Sequence, residues 1–503
     1  MSTPNLFFAV VVALSALLSI KYCRFGPKDT FLKLQQQSHF PASFRADEAE
    51  SSLERLSLQH LTKLNATAAD ITAVILNWTR LSNVVRIVSL LCDPMLDGIL
   101  ATIFIWNNNP ATVLTQEQLG CQHKLRLFNS PTNAYFGARF EACVAASTPF
   151  CFIQDDDYLV LPEILYTLRS RISELSVSGI FLQPPNEMLS STLSRITLNS
   201  KIHTSFSWLG YGSMIRRSEA KDFLSLMRLL NVTDDEFKMA DNYFSILRNV
   251  FTENWFDQNI PLGGGLPFTV GQEGLERNNR HILRAADLLE SVLLCEHPPC
   301  ISLPAQIQDI PYVQSRPTSP SSSSMAPCVG AVCLLETSIS MLPNEPKTEV
   351  QSTRNILEIQ EKNIQSINGK ELDLYLNHPP SYAVDGNPET GFCRGSAKKG
   401  EYISLDFLDA TPKWKQTELV FLVDVVAEAL ILNSSFRLLG KGDLKQQRID
   451  TRSVCHGLGR EGGLKECYVS TSISLAGYYA FQIQFEEDAA GLWCIYEMWM
   501  RGR

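Results

Sequence analysis

Between residues 71 and 154, apolar runs of strand length alternate with stretches of helical periodicity, joined by short connections. ITAVIL (71–76) reads as a buried strand and LSNVVRIVSLLC (81–92) as a helix. ATIFIW (101–106) and LRLF (125–128) read as the next strands, residues 133–146 as a helix, and PFCFIQ (149–154) as a fourth strand. Such alternation implies a parallel α/β sheet. In these sheets ligands bind beyond the carboxyl ends of the strands. The strand-end segments NWTR (77–80), WNNN (106–109) and DDD (155–157) are therefore expected to share one crevice.

The aspartate triplet is the most demanding of the three. Two like charges about 4 Å apart repel by roughly 4 kcal/mol at an effective dielectric near 20. Asp155, Asp156 and Asp157 therefore need a cation, many donors or full exposure. An isolated acidic triplet is as often a solvated turn. At a strand end facing a crevice it is expected to be a site for a hard divalent ion such as Mn²⁺ or Mg²⁺, which shares carboxylate oxygens with substrate phosphates.

Further along, SGIFLQ (178–183) and SFSWLGYGSMI (205–215) read as strands, and 218–230, 235–250 and 278–294 as helices. LGGGLPF (262–268) has the glycines but neither the lysine nor the helix of a phosphate loop. Residues 301–354 are rich in Pro and Ser and are expected to be a linker. From 355 to 503, short strand-like runs separated by turns indicate an all-β sandwich, with Asp385 and Gly386 in a turn. That second domain is expected to fold alone and to be dispensable for chemistry at the aspartates.

Residues 68–290 resemble a GT-A glycosyltransferase of the exostosin type (family 64), retaining N-acetylhexosaminyltransferases. The matching features are the first strand running into NWTR, the strand ending in WNN, Arg139 placed ahead of the triplet, and DDD itself. Residues 370–503 resemble a discoidin-like (F5/8 type C) domain through AVDGNPET, EYISLDF and LWCIYE. The first resemblance implies transfer, with retention, of an N-acetylhexosamine from a UDP-sugar to a glycan or glycolipid acceptor, with Mn²⁺ (or Mg²⁺) as cofactor. It implies that Asp157 binds the metal, Asp155 the ribose hydroxyls and Asp156 the donor sugar. Arg80 and Arg139 would grip the nucleotide or its phosphates, and Asn107 or Asn108 the uracil or ribose. Asp241 would lie near the anomeric carbon, with Trp208, Gly210 and Tyr211 on the acceptor side. Arg277, Arg280 or His281 would close over the diphosphate.

Two rival readings remain. One is a non-catalytic carbohydrate-binding protein on a degenerate transferase scaffold, which the complete DDD set and Asp241 oppose. The other is a nucleotidyltransferase, which would carry a glycine- and lysine-rich loop after its first strand, where this chain has NWTR. The net charge of -9 argues against a nucleic-acid partner.

Leu6–Ile20 is an uncharged apolar run, short for a spanning helix. Cleaved signal, signal anchor and buried helix are all open, and a signal anchor (1–27) followed by a stalk (28–66) is favoured. Lys21, Arg24 and Lys28 follow the run, which by the charge rule places the remainder in the cytoplasm. Sequons at Asn65, Asn77, Asn231 and Asn433, and 12 cysteines beyond Cys23, point instead to an oxidising lumen, with a single-pass Golgi or ER membrane protein as the expectation. Asn77 lies in the crevice segment, so its sequon is expected to be unused.

Overall fold

A computed structural model describes residues 54–55, 68–174, 177, 179–264, 272–294, 310, 312–314, 323–408, 417–440, 446–458 and 463–502. The proposed anchor, almost all of the stalk, Cys295 and Cys300 lie outside these. Among the described residues no helix is long and apolar enough to cross a membrane.

The first half is mixed α/β. The strands of its main sheet are β1 (Ile71–Asn77), β2 (Leu100–Asn107), β3 (Leu125–Asn129), β4 (Phe150–Gln154), β5 (Gly179–Gln183), β6 (Ser213–Arg216) and β7 (Glu253–Phe256). They form one sheet in the order β7-β5-β6-β4-β1-β2-β3. All neighbours are parallel except β6, which runs antiparallel to both β4 and β5. The helices longer than five residues are α1 (Leu81–Leu91), α2 (Gly137–Val144), α3 (Pro162–Ile172), α4 (Pro185–Leu193), α5 (Arg217–Leu229), α6 (Asp241–Leu247) and α7 (Gln272–Leu293). α1 shows why its sequence is helical: Val84, Ile87, Val88 and Leu91 recur at helical spacing and are all buried.

Two local expectations are corrected. The run 205–215 is a strand only from Ser213. Residues before it cross the mouth of the sheet, and Gly212 turns the chain at φ 114, a conformation that favours glycine. The expected helix 235–250 is two pieces, Asp234–Lys238 and α6. Met239, at φ -99 and ψ 30, breaks the helical path between them. Asp241 therefore opens a helix instead of sitting on the side of one.

The second half begins earlier than expected. Within the presumed linker lie β8 (Ser324–Pro327) and β9 (Leu334–Thr337), a hairpin closed by the Cys328–Cys333 disulfide. Tyr312, Met325 and Leu334 are buried in the cores of the first half. The serine run dominates the composition there and hides these short apolar pieces. Next come α8 (Ile356–Gln365) and α9 (Gly369–Asn377), then β10 (Phe392–Ala397), β11 (Tyr402–Asp406), β12 (Thr417–Val423), β13 (Ser435–Gly440), β14 (Gln447–Ile449), β15 (Arg452–Gly457), β16 (Lys465–Thr471), β17 (Tyr478–Gln484) and β18 (Ala489–Gly502). They make two antiparallel sheets. One has the order β8-β9-β11-β17-β13-β14. The other runs β18-β12-β16-β15, with β10 also on β18. A two-residue strand, Glu54–Arg55, pairs with the end of β18, so the expected stalk contributes to that sheet.

The halves share polar anchors as well as core. Glu163 of α3 accepts the Gly330 N–H at 2.7 Å. Gln258 donates to the carbonyls of Pro327 and Ser381 at 3.2 and 2.8 Å. Glu290 of α7 accepts from Thr353 N–H and Oγ1 and from Ser352 Oγ, at 2.8–3.0 Å. Residues from Glu50 onward form one compact unit. The second half is thus packed on the first and not merely tethered to it.

Candidate active site

The carboxyl ends of β1, β2 and β4 open onto a crevice of about 1120 Å³. Asp155, Asp156 and Asp157 line it from the end of β4, together with Arg80, Asn108, Arg139, Trp208, Gly210, Tyr211 and Asp241. Of the residues singled out in the sequence, Asn107, Arg277, Arg280 and His281 do not line this crevice.

Arg80, at the N-cap of α1, donates to Asp156 at 2.7 Å and lies 3.3 Å from Asp157. Its Nε also donates to the Gly264 carbonyl at 3.2 Å. Arg139, on α2, is almost completely buried. It bridges Asp155 and Asp241 through its two terminal nitrogens and lies over the Phe136 ring. Residues distant in the chain, 139, 155 and 241, are thus fixed by one guanidinium, whose planar fork suits two carboxylates.

The four carboxylates are not satisfied by these two cations. Burial, and then the charge of Asp155, pushes the Asp156 carboxyl above its usual range. The same causes push Asp157 up to about 6. Asp157 Oδ1 and Asp241 Oδ1 are buried and have no hydrogen-bond partner. Leaving such an oxygen unpaired costs roughly 1–3 kcal/mol, more when it is charged. Four carboxylates against two guanidiniums leave a formal charge of -2, the complement of one divalent cation. The orphaned Asp157 oxygen makes the donor set fit a hard ion.

The triplet is not a closed metal cage, however. Among the described residues, the one set of three His, Cys, Asp or Glu side chains with ligand atoms within 4.8 Å of one another is Cys92, Cys121 and His123. There Cys92 and Cys121 form a disulfide, which removes the thiolates a metal would need. At the aspartates, an ion would hold few protein oxygens and complete its shell with substrate and water oxygens.

Gly210 is required by its surroundings. A Cβ there would overlap the Asp155 carboxylate, while its carbonyl accepts the Asp155 N–H at 2.8 Å. Trp208 donates from Nε1 to Glu187 at 3.1 Å, and the Tyr211 ring stacks at a tilt on Tyr158, 5.0 Å away.

Asn107 is corrected to a structural residue. It is fully buried, accepts from Asn77 at 2.8 Å, and donates to the Thr112 carbonyl and Asn129 Oδ1 at 2.6 and 2.9 Å. This network ties the ends of β1, β2 and β3 and buries Asn77, so that sequon is masked. Asn108 lines the crevice and uses its amide on the backbone of Tyr135 and Ala134. His281 is buried against the Tyr243 hydroxyl at 2.9 Å, and neither it nor Arg277 or Arg280 is among the residues lining the crevice.

The sequence reading missed a whole second wall. Leu275, Asn278, Asn279 and Ile282 of α7 line the crevice, as do Leu357, Gln360, Glu361 and Ile364 of α8. Each set has the spacing i, i+3, i+4, i+7 of one helical face, the one signal that could have marked them. α8 is held in place by Gln360, which donates to Ser190 at 2.6 Å, and by Asn363, which donates to the Leu193 carbonyl at 3.0 Å.

No protein-family model matches the sequence, and no curated protein is similar to it. Among solved structures, the mannosyltransferase PcManGT from Pyrobaculum calidifontis in complex with GDP-Man and Mn²⁺ is similar at 11% identity and TM-score 0.29, over 46% of this chain and 68% of that one. S. aureus TarS 1–349 in complex with UDP-GlcNAc is similar at 14% identity and TM-score 0.30, over 43% and 66%. The same TarS chain with UDP gives 13% and 0.30, over 43% and 65%. The chain spans just under two thirds of TarS 1–349. At these scores the functional reading rests on the crevice itself.

Proposed function

We propose that this protein is a metal-dependent glycosyltransferase of GT-A type, moving a sugar from a UDP-sugar to a glycan or glycolipid acceptor. The observation that carries the proposal is the charge imbalance at the strand ends: four carboxylates, two bound guanidiniums and an unpaired, buried Asp157 oxygen. A site of net charge -2 repels a bare diphosphate and accepts one with a divalent ion. Asp157, with Asp155 close by, would hold that ion, Mn²⁺ or Mg²⁺, whose chemistry is to neutralise the departing diphosphate.

The chain's own groups supply the rest. Arg80, already among the aspartates, is positioned to turn towards phosphate oxygens. Asp156 is left to accept from sugar hydroxyls. Arg139 fixes Asp241 at the crevice wall, with one carboxylate oxygen unpaired. There it can stabilise positive charge developing at the anomeric carbon, or accept from an acceptor hydroxyl. Trp208 and Tyr211 give an aromatic surface beside Gly210, where backbone replaces side chain.

Donation of an N-acetylhexosamine, and retention of configuration, are part of the proposal and rest on the exostosin-type resemblance of the ordered motifs. A lumenal location is supported by the exposed Asn231 and Asn433 sequons and by five disulfides among the described residues. Protease digestion of residues 66–503 in sealed microsomes would refute that location. The activity is tested by nucleotide release from a panel of UDP- and GDP-sugars. Release from a UDP-N-acetylhexosamine with Mn²⁺, and not in chelator, is the expected result. No metal-dependent release from any donor would overturn the proposal.

A further inference from the structure

We infer that the second wall of the crevice, the α7 and α8 faces, is a binding site for an uncharged sugar chain end, so that the acceptor is a neutral glycan and not one ending in a uronic acid or sulfate. This deepens the glycosyltransferase reading and rests on it for the word acceptor, though the sugar site can be tested without it.

Three observations carry it. First, both faces repeat one pattern along i, i+3, i+4, i+7: Leu, Asn, Asn, Ile on α7 and Leu, Gln, Glu, Ile on α8. Apolar side chains alternate with amides and a carboxylate, the mixture that packs on C–H faces and hydrogen-bonds hydroxyls. The two helices touch, so the stripes are neighbours.

Second, the wall has unmet needs on both counts. Asn278 is 4% exposed and lines the crevice, yet its Oδ1 has no hydrogen-bond partner. A hydroxyl donor would satisfy it without a charge. Leu275 and Ile364 are large apolar side chains left 52% and 38% exposed, and Trp78, 47% exposed, joins them in lining the crevice. Scattered singly such residues mean little, but gathered on one cleft they mark a ligand surface.

Third, the charge is wrong for an anion. Among the described lining residues the basic side chains are Arg80 and Arg139, and aspartates hold both. Glu361 of α8 and Glu187 of α4 are the charged lining residues outside the aspartate cluster and its two arginines, and burial raises the Glu187 carboxyl above its usual range even without a second anion. A uronate or sulfate placed there would meet like charge and, among the described lining residues, no basic side chain beyond the two that aspartates already hold. A neutral sugar meets amides, carboxylates that accept from hydroxyls, and apolar faces.

The experiment is saturation-transfer NMR on residues 50–503, with a neutral N-acetylhexosamine–hexose oligosaccharide and the same oligosaccharide ending in glucuronic acid, each alone and with UDP and Mg²⁺. The neutral form is expected to bind at least about a hundredfold more tightly. Asn278→Ala and Ile364→Ala each weaken it about tenfold. Glu361→Lys narrows the gap to the uronate about tenfold. Lys362→Ala, on the solvent side of α8 and paired with Glu358, changes neither. Equal or better binding of the uronate, or neutral binding that survives both Asn278→Ala and Ile364→Ala, overturns the inference. Neutral binding with no metal-dependent UDP binding would instead strike down the transferase reading and leave the sugar site standing.

Discussion

The wall that carries Asp155, Asp156 and Asp157 is assembled from strand ends of one sheet, whereas the wall that carries Asn278 and Gln360 comes from two helices on either side of a Pro/Ser-rich stretch. The first is electrostatic: four carboxylates, two guanidiniums and two unpaired oxygens, an arrangement that further positive charge would complete. The second is amide and apolar, with Asn278 orphaned and Ile364 half in water. Charges packed this closely force a functional explanation, because their mutual repulsion has to be met by something. Amides and leucines on a helix face impose no such demand and read as ordinary surface. The comparison teaches that one crevice can hold a site whose chemistry is visible in sequence and another that appears only when the chain is folded.

The largest effect expected on the first wall is from Asp157→Asn. Turnover should fall by about a thousandfold, the upper range for removing one electrostatic group from a site, and metal-dependent UDP binding should go with it. Circular dichroism and the melting temperature should stay close to the parent values. Asp241→Asn is expected to lower turnover by about a hundredfold while UDP affinity changes little. An interaction made mainly in the transition state lowers the rate constant without weakening ground-state binding. If this variant lost UDP binding and kept its saturated rate, Asp241 would belong to the nucleotide site instead.

pH separates the walls in another way. The Asp157 carboxyl, pushed up to about 6 by burial and by Asp155, must lose its proton to bind an ion. Below that pH a proton competes with the metal, so Mn²⁺-dependent UDP affinity should fall about tenfold per pH unit, the behaviour of one displaced proton. Above it the affinity levels off. The sign follows from the raised value: protonation is favoured in the metal-free folded state, and binding releases that proton. The amides of Asn278, Asn279 and Gln360 do not titrate. Calorimetry between pH 5 and pH 7.5 checks this, and a flat profile would separate Asp157 from the metal.

Thr353→Val is the smallest of the changes and acts on the joint between the walls. Its hydroxyl reaches both the Ala286 carbonyl and Glu290 just ahead of α8, so its loss should cost about 1–2 kcal/mol of stability. It should loosen α8 and weaken neutral-sugar binding before it touches UDP binding. Equal losses on both walls would mean that α8 is not an independent part of the site.

Much of the first half was legible. The parallel order of β1 to β4 follows from apolar runs alternating with helical ones, and the triplet, Arg80, Arg139, Trp208, Gly210, Tyr211 and Asp241 all reach the crevice. Asn107 did not, because an asparagine at a strand end serves equally well to stitch neighbouring strands, here through Asn77 and Asn129. The antiparallel insertion of β6 between β4 and β5 was not legible, since a four-residue strand carries no mark of its direction. Neither were β8 and β9, whose four residues each lie under the compositional signal of the serine run. α8 lies in a stretch whose short strand-like runs indicate a β region, although Leu357, Gln360, Glu361 and Ile364 keep helical spacing. The sequence pattern could have placed these residues on one face but not in the crevice, because what they face is decided by Thr353, Gln360 and Asn363 anchoring the helix to α7 and to the α4 region.

Calorimetric titration of UDP into residues 50–503, once with Mn²⁺ and once with EDTA, tests the central claim most directly. Saturable binding with Mn²⁺ and none in EDTA is the expected result, because a net charge of -2 around an unpaired Asp157 oxygen rejects a diphosphate without its ion. Equal UDP affinity in the two buffers would contradict the account.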